Sequence, residues 1–95
     1  MRWDSELAGV KALVHLFVEP GRLEAVGEAL SRFDEVTDVY EVTGEYDIVA
    51  IVNATDVTSF RRFISEKLLT IPGIRSAVSS IVLHVYKKGG KVTYE

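Results

Sequence analysis

Residues 42–53, VTGEYDIVAIVN, decide the fold because they join a turn to one of the most apolar runs in the chain. Gly44-Glu45 fits a tight hairpin, since glycine readily takes the positive φ that such turns require. The unbroken apolar run that follows is typical of a central strand with both faces covered. Asp47, at the mouth of this strand, must be solvated, satisfied by backbone donors, or in contact with something outside the chain.

The segments before the hairpin predict a strand, a helix and a second strand. Residues 10–18 are β-branched and aliphatic, and the Pro20-Gly21 pair then ends that strand. A helical stripe follows, formed by Leu23, Val26, Leu30 and Phe33. The strand that leads into the turn has one face predicted to carry Val36, Tyr40 and Val42.

The segments after the hairpin repeat a helix and a strand. Thr55 or Asp56 can cap the second helix. Its apolar stripe is Val57, Phe60, Ile64 and Leu68. Residues 75–86 predict a fourth strand, and Gly89-Gly90 allows a second hairpin or a frayed tail.

The order βαββαβ predicts an α+β fold of the ferredoxin-like type. We expect a four-stranded antiparallel sheet with two helices on one face. The chain, 1–95, is read as a single domain with an N-terminal extension at 1–8 and a tail or extra C-terminal strand at 87–95. Alternation in the first and third strands is too weak for a solvated face, so a second sheet is expected to cover the other side.

Size and composition favour a subunit interface. The chain has 95 residues, 47% of them hydrophobic, and no cysteine. A chain this short buries only about two-thirds of its unfolded surface, so some of this apolar content is expected at contacts between copies. No signal peptide is evident and no apolar run nears the ~18 residues of a membrane span, so we expect a soluble, cytoplasmic protein without a membrane partner.

Charge and motifs argue against nucleic-acid binding and catalysis. With 11 Lys and Arg against 14 Asp and Glu, the chain repels polyanions, and KKGGK is interpreted as a solvated turn. No phosphate-binding loop, nucleophile motif or close carboxylate pair is present. His15 and His84 fall on predicted neighbouring strands, so a metal pair is an option, but satisfied or interface histidines are simpler. We therefore predict no catalytic residue, metal or cofactor.

Gly44 and Asp47 together suit an amino acid. A run of exposed amides at a glycine turn can hold a carboxylate, and Asp47 can pair with an ammonium group. The simpler interpretation, a turn glycine followed by a solvated strand-end aspartate, is favoured on these residues alone.

Residues 42–83 closely resemble the effector-binding domain of the leucine-responsive regulatory protein (Lrp/AsnC) family, often called the RAM domain. The matching features are the turn Gly44-Glu45-Tyr46-Asp47, the aspartate that opens the second helix, the helix end LLTIPGI and the closing IVL. FVEPGRLEAVGEAL agrees more loosely. The chain has no room for the family's usual helix-turn-helix domain, so the resemblance implies a stand-alone RAM module.

The resemblance also implies an assembly and a site. Two sheets pack face to face in a dimeric α+β barrel, and dimers join into rings, typically octamers. Amino-acid effectors sit between dimers, near the hairpin tip and the last strand. The matching positions here are Gly44, Glu45, Tyr46, Asp47, Ala77 and Ser79. Ala77 and Ser79 stand where the family commonly has two threonines.

The leading hypothesis is a non-enzymatic, amino-acid-binding regulatory module that acts by assembly, also with full-length Lrp/AsnC regulators. Two alternatives stay open. Small dimeric ferredoxin-like monooxygenases share the strand, EPG and helix of this N-terminal half, and they would require an enclosed cavity lined by His15, Phe17 and the helices. A purely structural oligomerisation module is the other alternative, favoured by Ala77.

Overall fold

The computed structural model describes residues 9–93, in which two helices pack on one face of a four-stranded antiparallel sheet. The strands are β1 (Val10–Val18), β2 (Val36–Glu41), β3 (Ile48–Ala54) and β4 (Ile74–Ile81), in the order β2-β3-β1-β4. The helices are α1 (Leu23–Ser31) and α2 (Val57–Glu66), the latter followed by a 3-10 turn at Leu68–Thr70. The predicted ferredoxin-like fold is confirmed; the predicted N-terminal extension, 1–8, lies outside the described residues.

The core lies between the helices and the sheet. Strand β1 alternates along its length, because successive side chains of a strand point to opposite faces. Every residue of the buried core is apolar: Ala12, Val14, Leu16, Val18, Val26, Leu30, Ile48, Ala50, Val52, Phe60, Phe63, Leu68 and Ile71. We call this side of the sheet the helix face.

The opposite side of the sheet, here called the open face, has an apolar centre that is half-buried or exposed, with the polar residues Lys11, Asp38, Asn53, Ser76 and Ser80 around it. It is defined by the strand register and carries Leu13, His15, Phe17, Tyr40, Val49, Ile51 and Val78. Tyr40 and Val78, on the two edge strands, keep 52% and 44% of their surface exposed. Apolar exposure of this extent is typical of surfaces that another chain covers.

Most of the predicted helix stripes are confirmed. Val26 and Leu30 of α1 are buried, and Phe33 packs edge-on against Phe63 of α2 with ring centroids 5.3 Å apart. Asp56 caps the N-terminus of helix α2, because its carboxylate accepts a hydrogen bond from the Ser59 N–H at 2.7 Å. The predicted stripe is wrong at Val57, which is half-exposed; Phe63 lies in the core instead.

Two strands differ from their predictions. In β2 a bulge between Val36 and Asp38 changes the phase, so that Val36 and Val39 pack against the core while Tyr40 lies on the open face. Strand β4 ends at Ile81 rather than at residue 86. The chain beyond it forms a separate two-stranded hairpin of β5 (Lys87–Lys88) and β6 (Lys91–Val92), which does not join the main sheet.

Candidate functional site

The connection between β2 and β3, residues 42–47, forms an exposed loop at one end of the sheet, here called the tip loop. Val42 N–H donates to Asp47 C=O at 3.0 Å, so four residues close the loop rather than the predicted two. Gly44 has φ +121°, and no atom lies within 4 Å of where its Cβ would stand. The backbone conformation, not crowding, therefore requires glycine here.

Asp47 fastens the tip loop to the end of β1. Its N–H donates to Leu16 C=O at 3.0 Å, and its Oδ2 accepts a hydrogen bond from Val18 N–H at 2.8 Å. Leu16 and Val18 are alternate residues of β1, so their backbone groups point to the same edge, toward β3. The carboxylate thus satisfies a backbone donor where the ladder ends. Of the three options that the sequence left open for Asp47, satisfaction by a backbone donor is realised.

Tyr46 lies over the open face. Its ring stacks on His15 with centroids 4.7 Å apart and an interplanar angle of 22°, and it packs against Phe17 at 4.9 Å. Neither ring partner was predicted; the available signal was that His15 and Phe17 alternate with the buried residues of β1 and so share the open face. This geometry separates His15 and Phe17 from the helices. A cavity lined by them and by the helices, which the monooxygenase alternative requires, is therefore not formed within the part of the chain that the structure describes.

The two predicted site residues of β4 lie elsewhere. Ala77 pairs with Leu16 and Ser79 with Val14, which places both on the helix-face side of the edge strand. Ala77 packs against the core, whereas Ser79 is exposed. Two strand spacings, roughly 10 Å, separate Ala77 from Ile48 at the start of β3. Within one chain the six predicted residues therefore form two groups, and Tyr46 and Ala77 point to opposite faces.

A cleft of about 550 Å³ occupies the other end of the sheet and was not predicted. Its lining residues are Gly9, Val10, Lys11, Thr37, Asp38, Asn53, Ala54 and Lys88. Asp38 accepts hydrogen bonds from Thr37 Oγ1 at 2.7 Å and from Tyr40 OH at 3.0 Å. The hydrogen bond from Thr37 and, to a smaller extent, the one from Tyr40 lower the pKa of Asp38 below its ordinary value of 3.8. The hydrogen bond to Asp38 in turn raises the pKa of Tyr40.

The two histidines do not share a partner. His15 stacks on Tyr46, whereas His84 lies beyond the end of β4 and packs edge-on against Tyr86 at 4.5 Å. Within residues 9–93, no group of three or more His, Cys, Asp or Glu side chains is placed to hold a metal ion.

In the part of the chain that the structure describes, no helix has the length and apolar character needed to cross a membrane.

The βαββαβ order, the helices on one face of the sheet and the glycine turn at the sheet end define a ferredoxin-like domain. The family profile described as "Lrp/AsnC ligand binding domain" matches residues 11–92. The chain belongs to the Lrp/AsnC ligand-binding domain family, as its turn and helix end indicate.

Proteins that are similar to this chain in sequence are named as transcriptional regulators. The HTH-type transcriptional regulator Ptr1 of Methanocaldococcus jannaschii is 31% identical over 83 residues, which cover 87% of this chain and 56% of Ptr1. The uncharacterized HTH-type transcriptional regulator PH0140 of Pyrococcus horikoshii is 38% identical over 80 residues, 84% of this chain and 51% of that protein. The chain thus spans about half the length of the regulators that it matches.

A solved structure of similar size shows the same fold. TTHA0845 from Thermus thermophilus superposes with a TM-score of 0.78 at 29% identity, and the match covers 83% of this chain and 99% of that one. E. coli AsnC superposes with a TM-score of 0.77 at 26% identity, over 80% of this chain and 52% of AsnC.

Proposed function

We propose that the chain is a non-enzymatic regulatory module that binds an amino-acid effector at the tip loop and responds by a change of assembly. The observation that carries the proposal is the tip loop, an exposed glycine turn held at the sheet end by the carboxylate of Asp47. Membership of a family of ligand-binding domains supports an effector site in this chain.

The chemistry of the tip loop suits both charged groups of an amino acid. Asp47 Oδ2 is bonded to Val18 N–H, while Oδ1 accepts no hydrogen bond from residues 9–93 and can accept one from an ammonium group. Gly44 and Glu45 are exposed, and amides at such a turn can donate to a carboxylate. Asp47 therefore has two roles in this proposal: one oxygen holds the loop and the other meets the effector.

The division of the six residues supports a site that more than one chain completes. Tyr46 and Ala77 point to opposite faces of the sheet, so an effector that touches both groups needs a loop and a strand from different copies. The half-buried open face supports a dimer in which two sheets pack together. Because the relatives carry a similar domain within longer regulators, mixed assembly with full-length Lrp/AsnC proteins is the proposed output.

The test compares two changes at Asp47. Calorimetric titration with each of the twenty amino acids, with sedimentation to measure mass, first identifies an effector. Asp47→Asn keeps an oxygen for Val18 N–H but loses the charge, so the effector should bind about 10- to 100-fold more weakly while the fold persists. Asp47→Ala also removes the acceptor and should lower the free energy of unfolding by about 1–3 kcal/mol, the cost of an unsatisfied buried donor.

Glu41→Gln is the matched control, because it removes an exposed carboxylate at the end of β2 and leaves the bonds between Asp47 and β1 in place. This variant should bind the effector as the wild type does. The sensing role is wrong if no amino acid produces heat or a change in mass. Equal affinity in Asp47→Asn and the wild type would place the ammonium elsewhere.

A structural oligomerisation module is the second candidate, and Ala77 favours it. Its methyl group packs against the core and offers the effector no hydrogen bond. Such a module should assemble to the same mass with and without every amino acid tested. Ala77→Ser adds one hydroxyl with little added volume; effector binding that appears only in this variant would show that the native site has lost its function.

A further inference from the structure

Tyr46 connects the tip loop to the open face. The backbone of the loop ends at Asp47, which bonds to Leu16 and Val18 along one edge of β1. The side chain of Tyr46 turns the other way and lies on His15 and Phe17. The loop is thus attached to β1 through its backbone, a carboxylate and an aromatic ring, and it cannot move far without breaking the stack.

The stack is part of the surface that a second sheet would cover. His15 pairs with Val49 of β3 and Val78 of β4, at the middle of the open face, and both His15 and Tyr46 are half-buried in one chain. Water therefore competes with the ring contacts in the single chain. Covering the open face removes that water and strengthens the contacts between the rings.

We propose that Tyr46 is a positioning residue that links the order of the tip loop to the pairing of the open faces of two copies of the chain. The inference rests on the proposed function and names how its effector site is regulated. The stacking of Tyr46 on His15 and Phe17 strengthens when the sheets pair, and the same stacking holds the tip loop in place. Because such coupling is reciprocal, a ligand that orders the loop must favour pairing of the sheets by the same factor.

The aromatic ring, not the hydroxyl group, forms the link. Both contacts of Tyr46 are ring contacts, and no hydrogen bond of its hydroxyl group contributes to them within residues 9–93. Tyr46→Phe should therefore retain the link, whereas Tyr46→Ala should abolish it. His15→Ala removes one ring partner and leaves the contact with Phe17, so it should weaken the link without abolishing it.

The experiment requires no effector. Hydrogen exchange of the amides at 42–47 is measured on the whole chain over a dilution series that spans the dimer–monomer transition, with sedimentation in parallel. In the wild type and in Tyr46→Phe, these amides should exchange about two- to twelvefold more slowly in the dimer than in the monomer. This range is the interaction free energy of an aromatic pair converted to an equilibrium ratio, about two- to twelvefold. In Tyr46→Ala the ratio should fall to one. The amides of α1, away from the open face, serve as the internal reference.

Each outcome decides the proposal. The proposal is overturned if exchange of the loop amides slows on dimerisation in Tyr46→Ala as much as in the wild type, or if this slowing is lost in Tyr46→Phe. It is also overturned if exchange in the wild-type loop does not change on dilution, or if the chain stays monomeric. If Tyr46→Ala fails to fold, His15→Ala gives the test, and an unreduced ratio there overturns the proposal. If exchange of the loop amides slows when two copies pair but the chain binds no amino acid, the link through Tyr46 is supported and the sensing role is wrong.

Discussion

The two faces of β1 are built from similar residues but have different surroundings. Val14 and Leu16 on the helix face have no exposed surface, whereas Leu13 and Phe17, which flank them along the strand, remain half-buried on the open face. The helices of the chain complete the first face. The second face keeps apolar surface that neither α1 nor α2 covers. One face therefore determines whether the chain folds, and the other is available to determine what it associates with.

The largest expected effect tests this difference within one strand. Leu16→Ala and Leu13→Ala remove the same atoms from opposite faces of β1. Leu16 is fully buried, so its loss should lower the free energy of unfolding by about 2–5 kcal/mol, measured by urea denaturation. Leu13→Ala should cost less than half as much in the monomer and should instead weaken self-association. Similar losses in both variants would show that the chain closes its open face by itself.

A charge at the centre of the open face should separate association from folding. Ile51 faces Leu13 across the β1–β3 ladder and Asp38 across the β2–β3 ladder. A lysine there would have to be desolvated between two paired sheets, a cost that its neighbour Asp38 would repay only in part. Ile51→Lys should raise the dimer dissociation constant by about 100-fold, measured by sedimentation, while circular dichroism stays unchanged.

Thr58→Lys provides the control, because it adds the same charge at an exposed position of α2. Its dissociation constant should match that of the wild type. A dimer of Ile51→Lys as tight as the wild type would mean that association uses another surface.

Sequence patterns predicted the fold because the βαββαβ order and the apolar stripes are local features. Two details were not local. The bulge in β2 reverses the phase after Val36, and nothing in the composition of VTDVY marks it. The end of β4 at Ile81 depends on where β1 stops pairing, since Val82 N–H makes one last bond to Lys11 C=O at 2.8 Å.

At the candidate site, whose residues stay a prediction, the turn was predictable from the sequence but the arrangement of its side chains was not. The turn motif located residues 44–47, and the glycine requirement is seen in the φ of Gly44. That Asp47 would bond to Val18, or Tyr46 stack on His15, depends on contacts between residues about thirty positions apart. Such contacts follow from register and side-chain direction, which a single sequence does not specify.

The cap of α2 gives a smaller effect and resolves a choice that the sequence left open. Asp56 accepts from Ser59 N–H, whereas Thr55 bonds only to the Ser59 side chain. Asp56→Ala should lower the Tm by roughly 4–8 °C, typical of a lost N-cap in a domain of this size, and Thr55→Ala by much less. Both values come from thermal unfolding followed by circular dichroism. A larger loss for Thr55→Ala than for Asp56→Ala would contradict this assignment and would mean that Thr55 caps the helix.

The smallest expected effect concerns an ion pair at the rim of the helix face. Lys67, at the end of α2, donates to Glu35 at 2.9 Å, just before β2 begins. This hydrogen bond lowers the pKa of Glu35 below its ordinary value of 4.5. A carboxyl group whose pKa is lowered on folding stabilises the protein above the unfolded value, and this stabilisation is lost as the pH falls through the folded value. The pair is partly exposed, so at neutral pH its contribution should be below about 1 kcal/mol.

The pH dependence distinguishes the ion pair from simple packing at this rim. The wild type should lose stability as the pH falls below about 4.5, and Glu35→Gln should lose less over that interval because the titrating group is absent. Asp56 contributes a slope of the same sign, since its pKa is lowered by the Ser59 N–H, and that slope should persist in the variant. Glu28→Gln, on the surface of α1, controls for the loss of one negative charge. Urea midpoints at pH 7 and pH 3 measure the difference, and parallel losses in Glu35→Gln and the wild type would mean that the contact with Lys67 does not stabilise the folded chain.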